Sequence, residues 1–287
     1  MPKYVLVAET GSDIHADTAR EYGIVVVPMH VNFGGQSRDD DTFPPEELYE
    51  NFEETGECPR TSGCSPADFA PVFDRIHEEE PDAQIVYLAY SAVTTVSMES
   101  ARIAAEGRDY VTAIDTKAVS SSQRLIVTNV ARWLRENPDA TLYDVREFVA
   151  DQSRRIRFAF LPGELKFLRA GGRLTNAAFL GATLLRIKPT IEMVDGRLVA
   201  TKKRTGSIRK CMAELCEHFC TREPMDLSRV CFTYTSGDEP DERVRKACEK
   251  IVRHHGAQEV EWVKSGCVIA SHSGPNSFAI TALAAKS

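Results

Sequence analysis

Gln84-Ile85-Val86-Tyr87-Leu88-Ala89-Tyr90-Ser91-Ala92-Val93-Thr94-Thr95-Val96-Ser97 passes from a β-rich apolar run into a loop of small hydroxyl residues, and a helical pattern follows over 97–106. Strand, polar loop and helix in that order form the repeating unit of a parallel sheet covered by helices on both faces. The unit recurs on either side. Residues 4–8, 25–31 and 111–114 read as further strands, and 16–22, 66–79, 120–136 and 142–153 as helices. Beyond about residue 156 the rhythm changes. Strands are expected at 156–160, 190–194, 197–200, 229–234, 258–263 and 277–283, with helices at 163–169, 207–221 and 241–254. Val194-Asp195-Gly196-Arg197 has the Asp-Gly signature of a tight hairpin, so the second sheet should be mixed. The predicted fold is α/β with two domains: a three-layer, mainly parallel N-terminal one over 1–155 and a mixed-sheet C-terminal one over 156–287. The acidic stretch 37–57, with Pro44-Pro45, reads as an excursion holding a short helix, anchored by Phe43, Leu48, Tyr49 and Phe52.

Composition narrows the classes of function. The net charge of −7 argues against non-specific nucleic-acid binding, yet residues 154–210 carry fourteen Lys and Arg against three acids. Such a segment suits an anionic partner or lipid headgroups, and equally a solvated face. The longest apolar run, 177–185, is interrupted by Gly181 and Thr183 and is too short for a spanning helix. The N-terminus reads as a first strand and not as a signal peptide, which points to a cytoplasmic protein. None of the eight cysteines forms a C-x-x-C pair, so they read as free thiols, with no metal site.

Ligands of an open parallel sheet bind beyond the carboxyl ends of its strands. The loops there are rich in hydroxyls: Thr10 and Ser12 after the first strand, Ser91 to Ser97 after the central one, and Asp115 to Ser122 after 111–114. A fourth loop, Pro59-Arg60-Thr61-Ser62-Gly63-Cys64-Ser65, enters a helix with Ser65 as N-cap, Pro66 at its first position and Asp68 in the capping-box slot. Helix N–H groups beside neutral hydroxyls fit a carboxylate or phosphate without a fixed cation. Such residues also cap their own helices, and that alternative stands beside a shared site. Walker and dinucleotide glycine loops are absent. Gly171-Gly172-Arg173 reads as a helix terminator and turn.

In order along nearly the whole chain, these motifs resemble the DegV family. Ala8-Glu9-Thr10-Gly11-Ser12-Asp13-Ile14 and Glu21-Tyr22-Gly23-Ile24 are similar to the family's opening, Pro59 to Ser65 to its P-x-T-S-Q-P-S loop, and Ile114-Asp115-Thr116-Lys117-Ala118-Val119-Ser120 to its I-D-S-x-x-x-S. Leu165-Lys166-Phe167-Leu168-Arg169-Ala170-Gly171-Gly172-Arg173 matches L-x-x-L-x-x-G-G-R, and His272-Ser273-Gly274-Pro275-Asn276 corresponds to the closing H-x-G-P-G with Asn276 in place of the final Gly. The resemblance implies a non-catalytic carrier of one long-chain fatty acid, such as palmitate, stearate or oleate, with no other cofactor. Its carboxylate would sit at the domain interface and its tail in an apolar tunnel. Carried over by position, Thr61, Ser62, Ser91, Ala92 and His272 surround the carboxylate, with Thr10, Ser12, Asp115 and Ser120 in the cleft loops. Phe160, Leu165, Leu168, Phe179, Leu180 and Leu184 are the candidates to line the tail.

The resemblance further implies a fatty acid kinase partner that phosphorylates the bound carboxyl group and an acyltransferase that receives the acyl phosphate. Arg173, Lys203 and Arg204 fall where the family meets the kinase, and transient contact with a membrane surface fits such a carrier. One departure stands out: Ala92 replaces the serine that the family uses against the carboxylate, and Gly63-Cys64 replaces its Gln-Pro. Two other readings compete. Ser62 or Ser91 with His272 and Asp115 has the composition of a hydrolase triad, although no G-x-S-x-G elbow surrounds either serine. A phosphosugar or small-anion binder would keep the crevice and need no tunnel.

Overall fold

The computed structural model describes residues 3–174, 187–236 and 241–286. In chain order the elements are β1 (Tyr4–Glu9), a 3₁₀ turn (Thr10–Ser12), α1 (Ala16–Tyr22), β2 (Ile24–Val27), β3 (His30–Phe33), β4 (Gln36–Asp39), α2 (Glu46–Thr55), β5 (Arg60–Ser62), α3 (Pro66–Glu79), β6 (Gln84–Ala89), α4 (Ser97–Ala104), β7 (Val111–Asp115), α5 (Ser120–Glu136) and α6 (Leu142–Arg155). Then come β8 (Ile156–Leu161), α7 (Leu165–Gly171), β9 (Ile187–Val194), β10 (Arg197–Thr205), α8 (Ile208–Thr221), β11 (Met225–Tyr234), α9 (Glu242–His254), β12 (Glu259–Lys264), α10 (Cys267–Ser273) and β13 (Phe278–Ala284).

The first sheet is parallel, in the order β2-β1-β6-β7. Side chains alternate across a strand, so Val7, Ile85 and Tyr87 pack on one face against Phe69 and Phe73 of α3 and Met98 of α4. Leu6, Val86 and Leu88 pack on the other against Leu125, Ile126 and Val130 of α5 and Val145 of α6. Three layers result. The second sheet is mixed, in the order β10-β9-β8-β13-β11-β12, with β11–β12 its parallel pair. Along β8, Ala159 and Leu161 face α8 and α9, whereas Phe158 and Phe160 face back toward Val119 of the first lobe. The fold is therefore α/β in two lobes, one parallel and one mixed. α5 belongs to both: besides its packing under the first sheet, its Ser121 hydroxyl pairs with Thr281 of β13 at 2.8 Å.

The Asp-Gly hairpin forms as expected, with Val194 opposite Arg197 and positive φ at Asp195 (47°) and Gly196 (76°). The Ser65–Asp68 capping box also forms, the Ser65 N–H donating to the Asp68 carboxylate at 2.6 Å. Three features differ from the sequence reading. The strand expected over 25–31 breaks after Val27, because Pro28 cannot extend a ladder. Its second part, β3, joins a separate antiparallel sheet, β4-β3-β5. Finally, α10 is a helix that no local cap announced. All eight cysteines are free, and all but Cys58 are buried. Among the described residues no helix is long and apolar enough to cross a membrane.

Candidate functional site

α10 delivers the imidazole at the centre of the site. Its opening N–H groups are satisfied from the first lobe: Gly266 N–H donates to Asp13 at 3.0 Å, and Cys267 and Val268 donate to Asp40 at 2.7 and 3.2 Å. Fixed at that end, the helix carries His272 to Thr61 of β5, and Nε2 lies 2.7 Å from the Thr61 hydroxyl. Burial, aided by the Arg173 charge, pushes the His272 pKa down to about 3, so the ring is neutral at physiological pH. Nδ1 is buried without a partner among the described residues. It rests against Gly171, where a Cβ would stand 2.0 Å from it, so no larger residue leaves room for the ring. Gly172 then ends α7 with φ 64°, and Arg173 folds back to donate to the Gly171 carbonyl at 2.7 Å.

Two small cavities adjoin at this ring. A hydroxyl-bearing one of about 30 Å³ is lined by Thr61, Gly63, Thr94, Thr95 and His272, together with the apolar Met29 and Val268. An apolar one of about 50 Å³ is lined by Phe158, Phe160, Leu168, Ile269 and Ala279. They share a wall made of Tyr90, Val119, Arg173, Leu198 and His272. Gly63 brings the two hydroxyl loops together, since a Cβ there would lie 2.3 Å from the Thr95 hydroxyl. Burial, reinforced by the nearby Asp13 and Glu9 carboxylates, raises the Tyr90 pKa, so that side chain stays a neutral phenol. The polar end thus presents hydroxyls, an uncharged imidazole and one guanidinium to a single small volume.

A neutral buried imidazole carries a pH signature. The unfolded chain takes up a proton near pH 6.5, the folded one only near 3, so this group's stability contribution is complete above 6.5 and is lost as pH falls through that window. Between pH 7.5 and 4.5 the protein should lose roughly 2–3 kcal/mol more than His272→Gln, read by urea denaturation at each pH. Parallel pH profiles for the two would show that the ring is not held neutral.

Residues 3–285 match the family model described as "Uncharacterised protein, DegV family". The chain belongs to the DegV family. A DegV domain-containing protein of Deinococcus radiodurans is 29% identical over 283 residues, covering 96% of each chain. One from Streptococcus pyogenes is 27% identical over 292 residues, again with 96% of each covered. Among solved structures, a DegV family protein of Thermus thermophilus, whose fatty acid binding its structure describes, superposes with a TM-score of 0.87 at 29% identity over 99% of this chain and 100% of that one. A stearic acid-binding protein of Eubacterium ventriosum shares the fold, with a TM-score of 0.84 at 20% identity over 99% and 98%.

Within this DegV fold the residues expected at the site divide into groups. Thr61 and His272 meet, and Phe160 and Leu168 line the apolar cavity. Leu165 packs at the edge of the same apolar cluster. Phe179, Leu180 and Leu184 lie outside the described residues. Ser62 is exposed at the end of β5, and Ala92 is exposed as well. Ser91 is buried, but its hydroxyl donates to the Gly196 carbonyl at 2.7 Å, which ties it to the hairpin and away from the head pocket. Ser12 accepts from Ile14 N–H within its own loop, whereas Thr10 accepts from Met29 N–H of the β2–β3 connection and Asp115 from the Lys117 and Ala92 N–H groups, which ties neighbouring loops together. Ser120 lines the apolar cavity while donating to Asp13 at 2.5 Å. The triad of Ser62 or Ser91, His272 and Asp115 is not assembled, because His272 is bonded to Thr61.

Two basic residues change role. Arg204, expected at a partner surface, is buried and donates to Thr190 at 2.8 Å, with Glu214 at 3.5 Å; the strand turns it inward while Lys203 stays exposed. Arg173 lies in the cavity wall. Thr94, Thr95 and Tyr90 were not named individually from the sequence; the available signal was the hydroxyl-rich loop 91–97, which carries both threonines.

Proposed function

We propose that this DegV protein binds one long-chain fatty acid, its carboxylate in the Thr61–His272 pocket and its tail toward Phe158, Phe160 and Leu168, and presents it to a fatty acid kinase. The observation that carries the reading is the shared wall: Tyr90, Val119, Arg173, Leu198 and His272 line both the hydroxyl-bearing cavity and the apolar one. The fatty acid binding of the Thermus thermophilus protein, similar along its full length, supports it. Energetics divide the labour. Burying a methylene contributes about 0.8 kcal/mol, so some fourteen contribute on the order of 11 before ordering costs. Each charge-assisted hydrogen bond at the carboxylate adds about 1.5–3 kcal/mol. The tail sets affinity, and the head pocket sets position. A cavity of about 50 Å³ admits only water-sized guests, so the acyl chain enters by moving the apolar walls apart.

In this reading Thr95 supplies a donor where Ala92 supplies none, the Thr94 hydroxyl being already donated to the Ser91 carbonyl at 2.8 Å, and Arg173 balances the carboxylate charge. The exposed cations of β10, Arg197, Lys202 and Lys203, offer the kinase a surface; Arg204 does not. The acyl phosphate formed there would pass to an acyltransferase. Native mass spectrometry of the purified protein tests the core of this: a mass excess released on denaturation as a fatty acid supports it, and empty protein that also refuses added palmitate and oleate overturns it. Thr61→Val should weaken palmitate retention only a few-fold yet block phosphorylation by a fatty acid kinase. Undiminished phosphorylation of that variant would move the head group elsewhere.

A further inference from the structure

A hollow of about 670 Å³ lies apart from the site discussed above. It lies between α6 and the tip of the β9–β10 hairpin, on the far side of the loop 115–119 that walls the fatty-acid site. Its volume falls in the range of small-molecule sites. Its floor is apolar, from Ile114, Val149, Ile156 and Met193. Its rim is cationic. Arg146 and Arg154 project from α6 two turns apart, and Lys117 stands on the opposing loop. Lys117 and Arg146 are exposed, and their cationic groups have no partner among the described residues; Arg154 has only a 3.7 Å contact to Asp151.

Two acids, Asp115 and Asp195, line the groove against the cations Lys117, Arg146, Arg154 and Arg157. Asp115 is engaged by the N–H groups of Lys117 and Ala92, Asp195 is exposed at the turn, and Arg157 is already paired with Glu223 at 2.8 Å. A second observation points inward: the Ser153 hydroxyl, on the groove-facing side of α6, is buried and has no hydrogen-bond partner among the described residues. The far wall is fixed in advance, because the Ser91 hydroxyl clamps the Gly196 carbonyl at the hairpin tip.

We infer that this groove is a second ligand site, for an amphipathic anion that lays an apolar body on the Ile114–Met193 floor and a phosphate or carboxylate between Lys117 and Arg146. A single-chain lipid phosphate and a nucleoside phosphate share this chemistry. Octyl phosphate, ATP and inorganic phosphate serve as probes in isothermal titration with the palmitate-treated full chain. Saturable binding of octyl phosphate or ATP, tighter than that of inorganic phosphate, should weaken at least tenfold in Arg146→Glu and in Lys117→Glu. Preference for one probe identifies the source. Both substituted residues are exposed, and unchanged melting temperatures would show that the variants fold. Absence of saturable binding, or binding that survives either reversal, overturns the inference. So does binding that Thr61→Val abolishes while Arg146→Glu spares it, since the probe would then occupy the Thr61–His272 pocket. Because palmitate retention is read separately, failure of the fatty-acid reading and failure of this one are distinguishable.

Discussion

Gly163→Ala should lower the unfolding free energy by about 3 kcal/mol and the melting temperature by about 6–10 °C. A Cβ at Gly163 would sit 1.6 Å from the Pro275 carbonyl oxygen and 3.0 Å from Ser277 N. Both obstacles are backbone, so no rotamer change relieves them. The Gly163 N–H donates to the Ser273 carbonyl at 2.9 Å, which binds the β8–α7 connection to the end of α10. An alanine there pushes on the segment that carries His272. On the proposed function the variant should also retain less palmitate, which paired denaturation and native mass measurements would reveal. A stability loss under about 0.5 kcal/mol would mean that the two loops do not meet.

A comparable loss, about 3–5 kcal/mol, is expected for Asp13→Ala. Asp13 is fully buried and accepts from the Ser120 and Ser265 hydroxyls and from Gly266 N–H. Removing it strands three donors in a place water cannot reach. The effect is directional, because one of the three is the N–H of Gly266, the residue that caps α10. Hydrogen exchange at Gly266, Cys267 and Val268 should quicken more than in α3 or α5, and unchanged protection at those amides would sink the idea that the first lobe caps this helix. Asp13→Asn, which keeps one acceptor oxygen, should cost less.

That cap also shows where sequence reading stops. α3 was legible because Ser65, Pro66 and Asp68 put its start signals in four consecutive residues. α10 was not, because the carboxylates at its N-terminus come from positions 13 and 40, and no local pattern reports a cap supplied from so far along the chain. β4 and β5 escaped for another reason: Gln36-Ser37-Arg38-Asp39 and Arg60-Thr61-Ser62 have no apolar alternation. At the site, motif order sufficed to bring Thr61 and His272 together across 211 positions. It failed for Ser91 and Arg204, since a motif does not say which side chain the fold turns inward.

α5 has a consequence for how a guest gets in. One helix lies under the first sheet with Leu125, Ile126 and Val130 and hydrogen-bonds the second through Ser121. Swinging the halves apart like a clam shell would tear that shared beam from one of them. For the proposed fatty-acid cargo, exchange would then work as a change of upholstery within a rigid frame, with the pieces around Leu168 and Phe160 yielding while the girder stays in place.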